Sequence, residues 1–266
     1  MRSTRVLLLT LIPIALLAQR PQAPIRVSVD LVTVNVAVTD SRGRTVLGLS
    51  PDMFQVYEDR VEQKVEYFST EEVAASIGII FDVSASMEPV IKEAIQAASD
   101  FMNMGTKEDE FFLVTFNNRP HVEVNFTRDV SKIRDKLVFH EASGSTALWD
   151  AMYLGVEKVK HGENARKALI SITDMGNNHS KYSERDFAEL MREQDVQIYY
   201  LDTDVARQLD AQKIAASLKS QYLLGYRSTN SQHDGKWRDI RVRVKPIPAM
   251  LPLSVKARAG YYAPIN

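Results

Sequence analysis

The chain has 266 residues, of which 45% are hydrophobic and 25% charged, an ordinary composition for a soluble globular protein. Its 33 Lys and Arg against 34 Asp and Glu leave a net charge of −1, which argues against a protein held to nucleic acid or anionic lipid by bulk electrostatics. With no cysteine, disulfides, thiolate metal sites and thiol nucleophiles are excluded together.

Residues 1–18 are expected to be a signal peptide. Arg2 and Arg5 precede an apolar run from Val6 to Ala18, too short for a comfortable membrane span. Cleavage is expected after Ala18, although Leu16 is larger than the small residue preferred two places earlier. An uncleaved anchor is the alternative, and only that would hold the chain to a membrane. An exported protein without cysteine takes its stability from packing instead of crosslinks, which suits the periplasm, the cell envelope or the secreted fraction.

The segment 26–72 reads as all β. Residues 26–39 alternate with period two, with Val27, Val29 and Leu31 on one phase and Val32, Val34, Val36 and Val38 on the next. The slip at Leu31/Val32 predicts a bulge or two consecutive strands. Asp40 to Gly43 is a turn signal, Ser50-Pro51-Asp52 reads as a capped helical turn, and strands follow at 53–58 and 64–69.

From Ala74 to residue 220 the pattern changes to buried strands separated by helices. The run 76–82 is almost wholly apolar and stops at Asp82. An amphipathic helix follows, with Val90, Ile91, Ala94, Ile95, Ala98, Phe101 and Met102 at three- and four-residue intervals. Strands 110–116 and 121–126 are too close for a crossover helix and should be antiparallel. Helices near 129–138 and 147–160 lead to strand 167–173, followed at once by Asp174. A helix from Ser183 to Gln194, a strand at 196–202 and a helix near 205–220 complete a doubly wound α/β unit with a mostly parallel sheet.

The segment 221–266 returns to strand patterns, YLLGYRS, WRDIRVRVKP and LSVKARAGYY, each too small to hide its apolar face alone. The economical arrangement pairs these strands with those of 26–72 in one β domain, with the α/β unit inserted.

Asp82, Ser84 and Ser86 alternate in FDVSASM, and an extended segment sends alternate side chains to the same side. They lie at the carboxyl end of a buried strand, where open α/β sheets place ligands. Thr146 in ASGSTALWDAM and Asp174 in SITDMGNN bring oxygen to the same rim. Hydroxyl and carboxylate oxygens are hard donors suited to Mg²⁺, with Ca²⁺ or Mn²⁺ as alternatives.

This set resembles the von Willebrand factor type A domain, a Rossmann-like fold. Its metal-ion-dependent adhesion site would map onto Asp82, Ser84, Ser86, Thr146 and Asp174. The opening VSVDLVTVNVAVTDSRGR, QVYEDRVEQKVEYFSTEE, SQYLLGY, DGKWRDIRVRV and ARAGYYAP are together similar to the exported VWFA-related proteins of Acidobacteria and related bacteria. The resemblance implies a β-sandwich-like domain flanking a type A domain outside the cytoplasm, with adhesion or protein binding and no established reaction. Two residues depart from it: Ala85 and Met175 stand where the family often has glycine. The helix and edge strand that commonly close a type A sheet are missing, so five strands are expected.

Neutral hydroxyls leave such a cation short of negative charge, so a partner protein is expected to complete it with a Glu or Asp. The expected function is therefore a non-enzymatic, cation-dependent binding module. A phosphoryl-transfer enzyme with Asp82 as nucleophile is the alternative, although Ser84 stands where a second carboxylate would be wanted. A structural envelope protein with a decayed metal site is another. Simpler roles compete residue by residue: Asp82 as a cap for the next helix, Thr146 as the N-cap of a helix beginning at Ala147, and Asn177, Asn178 and His179 as turn residues or rim contacts. Histidines 121, 140, 161, 179 and 233 show no ligand spacing.

Overall fold

The computed structural model describes residues 31–70, 73–192, 194–202, 207–246 and 252–265. The expected signal peptide and residues 26–30 of the predicted first strand lie outside them. Strand β1 (Leu31–Thr39) keeps its alternation, with Val34, Val36 and Val38 buried on one side. Its register against residues 222–227 runs unbroken from Leu31 to Val36, so the predicted slip at Leu31/Val32 is absent. Asp40 builds the turn that follows, its carboxylate accepting from the backbone N–H groups of Arg42 and Arg44. Residues 51–53 form a single 3-10 turn, but the Ser50 hydroxyl donates to Asp52 instead of capping it.

Strands β2 (Phe54–Glu58), β3 (Val61–Gln63) and β4 (Val65–Ser69) come next. The short β3 was not foreseen. It pairs back on β2 through a two-residue turn in which Asp59 and Arg60 both take positive φ, +47° and +70°. That backbone is usually announced by Asn-Gly or Asp-Gly.

The α/β unit follows in order: β5 (Ala75–Asp82), α1 (Ile91–Asn103), β6 (Glu110–Phe116), β7 (Pro120–Thr127), α2 (Val130–Val138), α3 (Leu148–Val159), β8 (Arg166–Thr173), α4 (Glu184–Met191), β9 (Val196–Asp202) and α5 (Arg207–Lys219). Its sheet has five strands in the order β7-β6-β5-β8-β9, parallel except for the β6–β7 hairpin. Every residue of β5 is buried because both sheet faces are covered. One face packs on Ala94, Ala98 and Phe101 of α1, Ile133 of α2 and Leu218 of α5. The other packs on Leu148, Met152 and Val156 of α3 and Phe187 of α4. The interior is tight enough that a Cβ on Gly78 would stand 2.3 Å from the Phe112 ring. Ser183 caps α4 in a reciprocal capping box with Asp186, and the helix ends at Met191 instead of the predicted Gln194.

The chain then adds β10 (Tyr222–Arg227), β11 (Trp237–Val244), β12 (Ser254–Lys256) and β13 (Gly260–Tyr262). Two antiparallel sheets result, β12-β1-β10-β4 and β13-β11-β2-β3, sharing a core of Val34, Val36, Phe54, Val56, Tyr222, Leu224 and Ile240. The single strand read over 253–262 is in fact two, one in each sheet. The crossing brings Gly260 so close to β11 that an added Cβ would lie 2.1 Å from the Arg238 carbonyl oxygen. Between the sheets Glu58, 2% exposed, accepts hydrogen bonds from the Tyr226 and Tyr261 hydroxyls at 2.9 Å each and from Ser228.

Candidate metal centre

Asp82 ends β5 fully buried between the neighbouring strands β6 and β8. Its Oδ1 accepts from the Ser84 backbone N–H at 2.8 Å and its Oδ2 from the Thr173 hydroxyl at 2.7 Å. Burial pushes the Asp82 carboxyl above the usual range, the hydrogen bonds from Ser84 and Thr173 oppose this, and the nearby charge of Asp174 adds to it. A carboxylate so placed gains from any positive charge that arrives.

Beyond Asp82 the chain makes one 3-10 turn over residues 85–87. Ser84 is buried, Ser86 is exposed, and their hydroxyl oxygens are 3.2 Å apart. Ala85 is not among the residues with positive φ, so alanine is accommodated there without backbone strain. The other departure is strained. Met175 takes φ +64°, a conformation that costs a non-glycine residue about 1–2 kcal/mol, and its side chain is half-exposed.

Backbone hydrogen bonds sew the rim loops together. Ala85 N–H donates to Gly144 O at 3.1 Å, Ser143 N–H to Val83 O at 2.8 Å, and Ala147 N–H to Asn117 O at 2.8 Å. Gly144 has φ +82° and lies against Asn118, whose Oδ1 accepts from Ser145 N–H at 2.8 Å. This carries Thr146, 3% exposed, into the site. Its capping role does not materialise: α3 starts at Leu148, its N-cap is Ala147, and no side chain caps it. Among the described residues the Thr146 hydroxyl makes no hydrogen bond. Its backbone is held from the opposite loop, where Asn178 Oδ1 accepts from Thr146 N–H at 2.8 Å and the N–H groups of Asn178 and His179 donate to Thr146 O. Asn177 accepts from the Ser180 hydroxyl. Asn178 thus positions Thr146 through its backbone.

Asp174 is exposed, and its Oδ1 accepts from Gly176 N–H at 3.0 Å. A Cβ on Gly176 would stand 3.1 Å from that oxygen and 3.8 Å from Thr146 Oγ1, so the two donors flank one small residue. Asp82, Ser84 and Ser86 thus lie together beyond the end of β5, Asp174 is near enough for its charge to act on Asp82, and Thr146 and Asp174 flank Gly176. Thr173 was missed as a contributor: its hydroxyl donates to Asp82 and accepts from Met175 N–H at 3.0 Å. Its position beside Asp82 follows from strand register, which the sequence does not display.

The donors are two carboxylates and three neutral hydroxyls. Among the described residues no group of three or more His, Asp or Glu is arranged to hold a metal. A hydroxyl-rich oxygen set of this kind suits a hard divalent ion better than a soft one.

The family model of the von Willebrand factor type A domain matches residues 77–177. No curated protein sequence matches the chain. Among solved structures, proximal thread matrix protein 1 from the mussel byssus, determined with a zinc-occupied MIDAS motif, aligns with TM-score 0.51 at 18% identity, covering 61% of this chain and 50% of that one. The von Willebrand factor domain of the type V pili tip protein Mfa5 from Porphyromonas gingivalis aligns at 0.39 and 19%, covering 43% and 44%. BatB from Bacteroides thetaiotaomicron aligns at 0.43 and 16%, covering 55% and 88%. The match to Mfa5 thus spans less than half of that protein's chain. Family model and fold agree on one point: the five-stranded α/β unit of this chain is von Willebrand factor type A-like.

Proposed function

We propose that residues 74–220 act as a non-enzymatic, divalent-cation-dependent protein-binding module. It would be inserted in a β-sandwich-like domain formed by 26–72 and 221–266, on an exported protein of the envelope, periplasm or secreted fraction. One observation carries this reading: Asp82, Ser84 and Thr146 are buried at the base of the site, whereas Ser86 and Asp174 are exposed at its mouth. A site built from within and open outward is suited to a ligand arriving from another molecule.

Mg²⁺ is the expected ion, with Ca²⁺ or Mn²⁺ as alternatives, held by Asp82, Ser84, Ser86, Thr146 and Asp174. When bound it would supply the positive charge that an acidic side chain of a partner completes. Both Asp82 oxygens are already engaged by Ser84 N–H and Thr173, so this carboxylate serves better to orient the hydroxyl shell than to attack phosphorus. That engagement, together with full burial, speaks against the phosphoryl-transfer alternative.

The test is thermal unfolding with and without millimolar Mg²⁺, Ca²⁺ or Mn²⁺, followed by a pull-down from envelope extract with and without chelator. A cation-specific rise in melting temperature, lost in Thr146→Ala, and an acid-bearing partner released by EDTA are expected. Indifference to all three ions would favour the decayed-site reading. Metal-dependent phosphatase turnover lost in Asp82→Asn would favour the enzyme.

A further inference from the structure

A second cavity lies beside β9, away from the site just described. The metal candidate sits at the C-terminal ends of β5 and β8, whereas this cleft runs along residues 196–199 at the start of β9. Among the described residues β9 pairs in its sheet with β8 alone, so its other side is a sheet edge. Facing it is the outer surface of the β12-β1-β10-β4 sheet. Because β1 sends Val34, Val36 and Val38 into the β core, the alternate residues Asn35, Ala37 and Thr39 point the other way and line the cleft. Lys256, the cross-strand partner of Ala37, joins them.

We infer that this cleft binds a small organic anion with an apolar body. Its volume, about 550 Å³, lies within the span of small-molecule sites. Among the described residues, the cations Arg192, Lys256 and Arg258 line it together with one carboxylate, Asp195. That carboxylate is already engaged, its Oδ2 accepting from Asn35 Nδ2 at 2.9 Å. Arg258 donates through Nη2 to Thr33 O at 2.7 Å, which fixes its guanidinium beside the cleft. Met191, Ile198 and Ile214 supply the apolar wall for the rest of the molecule. Positive charge and apolar lining in one cavity describe a carboxylate, sulfonate or phosphate ester carrying a hydrocarbon or aromatic body.

The probe is 8-anilinonaphthalene-1-sulfonate, titrated by fluorescence into the full chain, with neutral N-phenyl-1-naphthylamine as its uncharged counterpart. Saturable binding of one sulfonate per chain, weakened by salt and about tenfold tighter than the neutral dye, is expected. Reversing two exposed cations together, Arg192→Glu with Lys256→Glu, should weaken the sulfonate about tenfold or more. Should that pair lower the melting temperature, Arg192→Gln with Lys256→Gln gives the same comparison with less perturbation. Equal affinity for the two dyes, no saturable binding, or sulfonate binding that survives both cation pairs would overturn the inference. So would binding lost instead in Phe139→Ser, which removes an apolar side chain 85% exposed on another surface.

Discussion

Glu58 and Asp82 are both buried carboxylates at strand ends, yet their surroundings differ in one respect. Glu58 is saturated: Tyr226, Tyr261 and Ser228 all donate to it, and they tie the two β sheets together. Burial and the neighbouring Glu58 push the Tyr261 hydroxyl up to about 12 and the Tyr226 hydroxyl higher still, so both remain donors across the working pH range. Asp82 accepts from one hydroxyl and one backbone N–H, while the Thr146 hydroxyl nearby makes no hydrogen bond within the described residues. A carboxylate whose neighbours are fully paired serves stability. One surrounded by donors with capacity to spare is arranged for a ligand.

The largest effect should come from the saturated member. Glu58→Ala strands the buried Tyr226 phenol and the partly buried Tyr261 phenol, and urea unfolding should show a loss of about 3–5 kcal/mol. If the loss is under 1 kcal/mol, the Glu58 cluster is not a structural tie and the comparison fails. The cation response comes next. At a concentration one hundred times its dissociation constant, a bound cation stabilises the fold by about 2.7 kcal/mol. Thr146→Ala should abolish that gain with little change in the cation-free stability, because its hydroxyl makes no hydrogen bond among the described residues.

Asp195 sharpens the contrast from a third position. Burial raises its carboxyl above the ordinary range, although the charge of Arg258 and hydrogen bonds from Asn35 oppose this. A raised carboxyl favours the fold at pH below the unfolded value and forfeits that contribution as pH climbs through the folded one. Asp195→Asn should therefore gain stability over wild type at pH 7 and lose that advantage in acid, read as the difference in urea midpoints at pH 7 and pH 4. The smallest effect is expected at the strained turn. Met175→Gly relieves the left-handed backbone but adds unfolded-state entropy, a net gain of about 0.5 kcal/mol, whereas Ala85→Gly should lose a similar amount. Equal responses at the two positions would mean that φ at Met175 is not what separates them.

Much of the α/β unit was legible because its signals are local. The apolar run ending at Asp82, the three- and four-residue spacing from Val90 to Met102, and the short gap between β6 and β7 each define an element without outside help. What escaped depends on contacts distant in sequence. The hairpin at Asp59-Arg60 carries no glycine to announce its positive φ angles. The division of 253–262 between two sheets is set by what β1 and β11 offer on each side. At the site, alternation predicted an extended run from Asp82 to Ser86, whereas β5 stops at Asp82 and a 3-10 turn over residues 85–87 sets Ser86 beside Ser84; only the register of β5 on β8 reveals that Thr173 secures Asp82. The capping role weighed for Thr146 failed because α3 begins one residue later than its sequence suggests.

The stitched rim has a kinetic meaning. With Ala85 tied to Gly144, Ser143 to Val83 and Ala147 to Asn117, the oxygen-bearing loops have little left to arrange when a ligand arrives. Exchange at such a mouth would be timed by how fast an ion sheds its water, not by folding of the surrounding chain. The amides of Ala85, Ser143 and Ala147 should accordingly rank among the slow deuterium exchangers even before any ion is added.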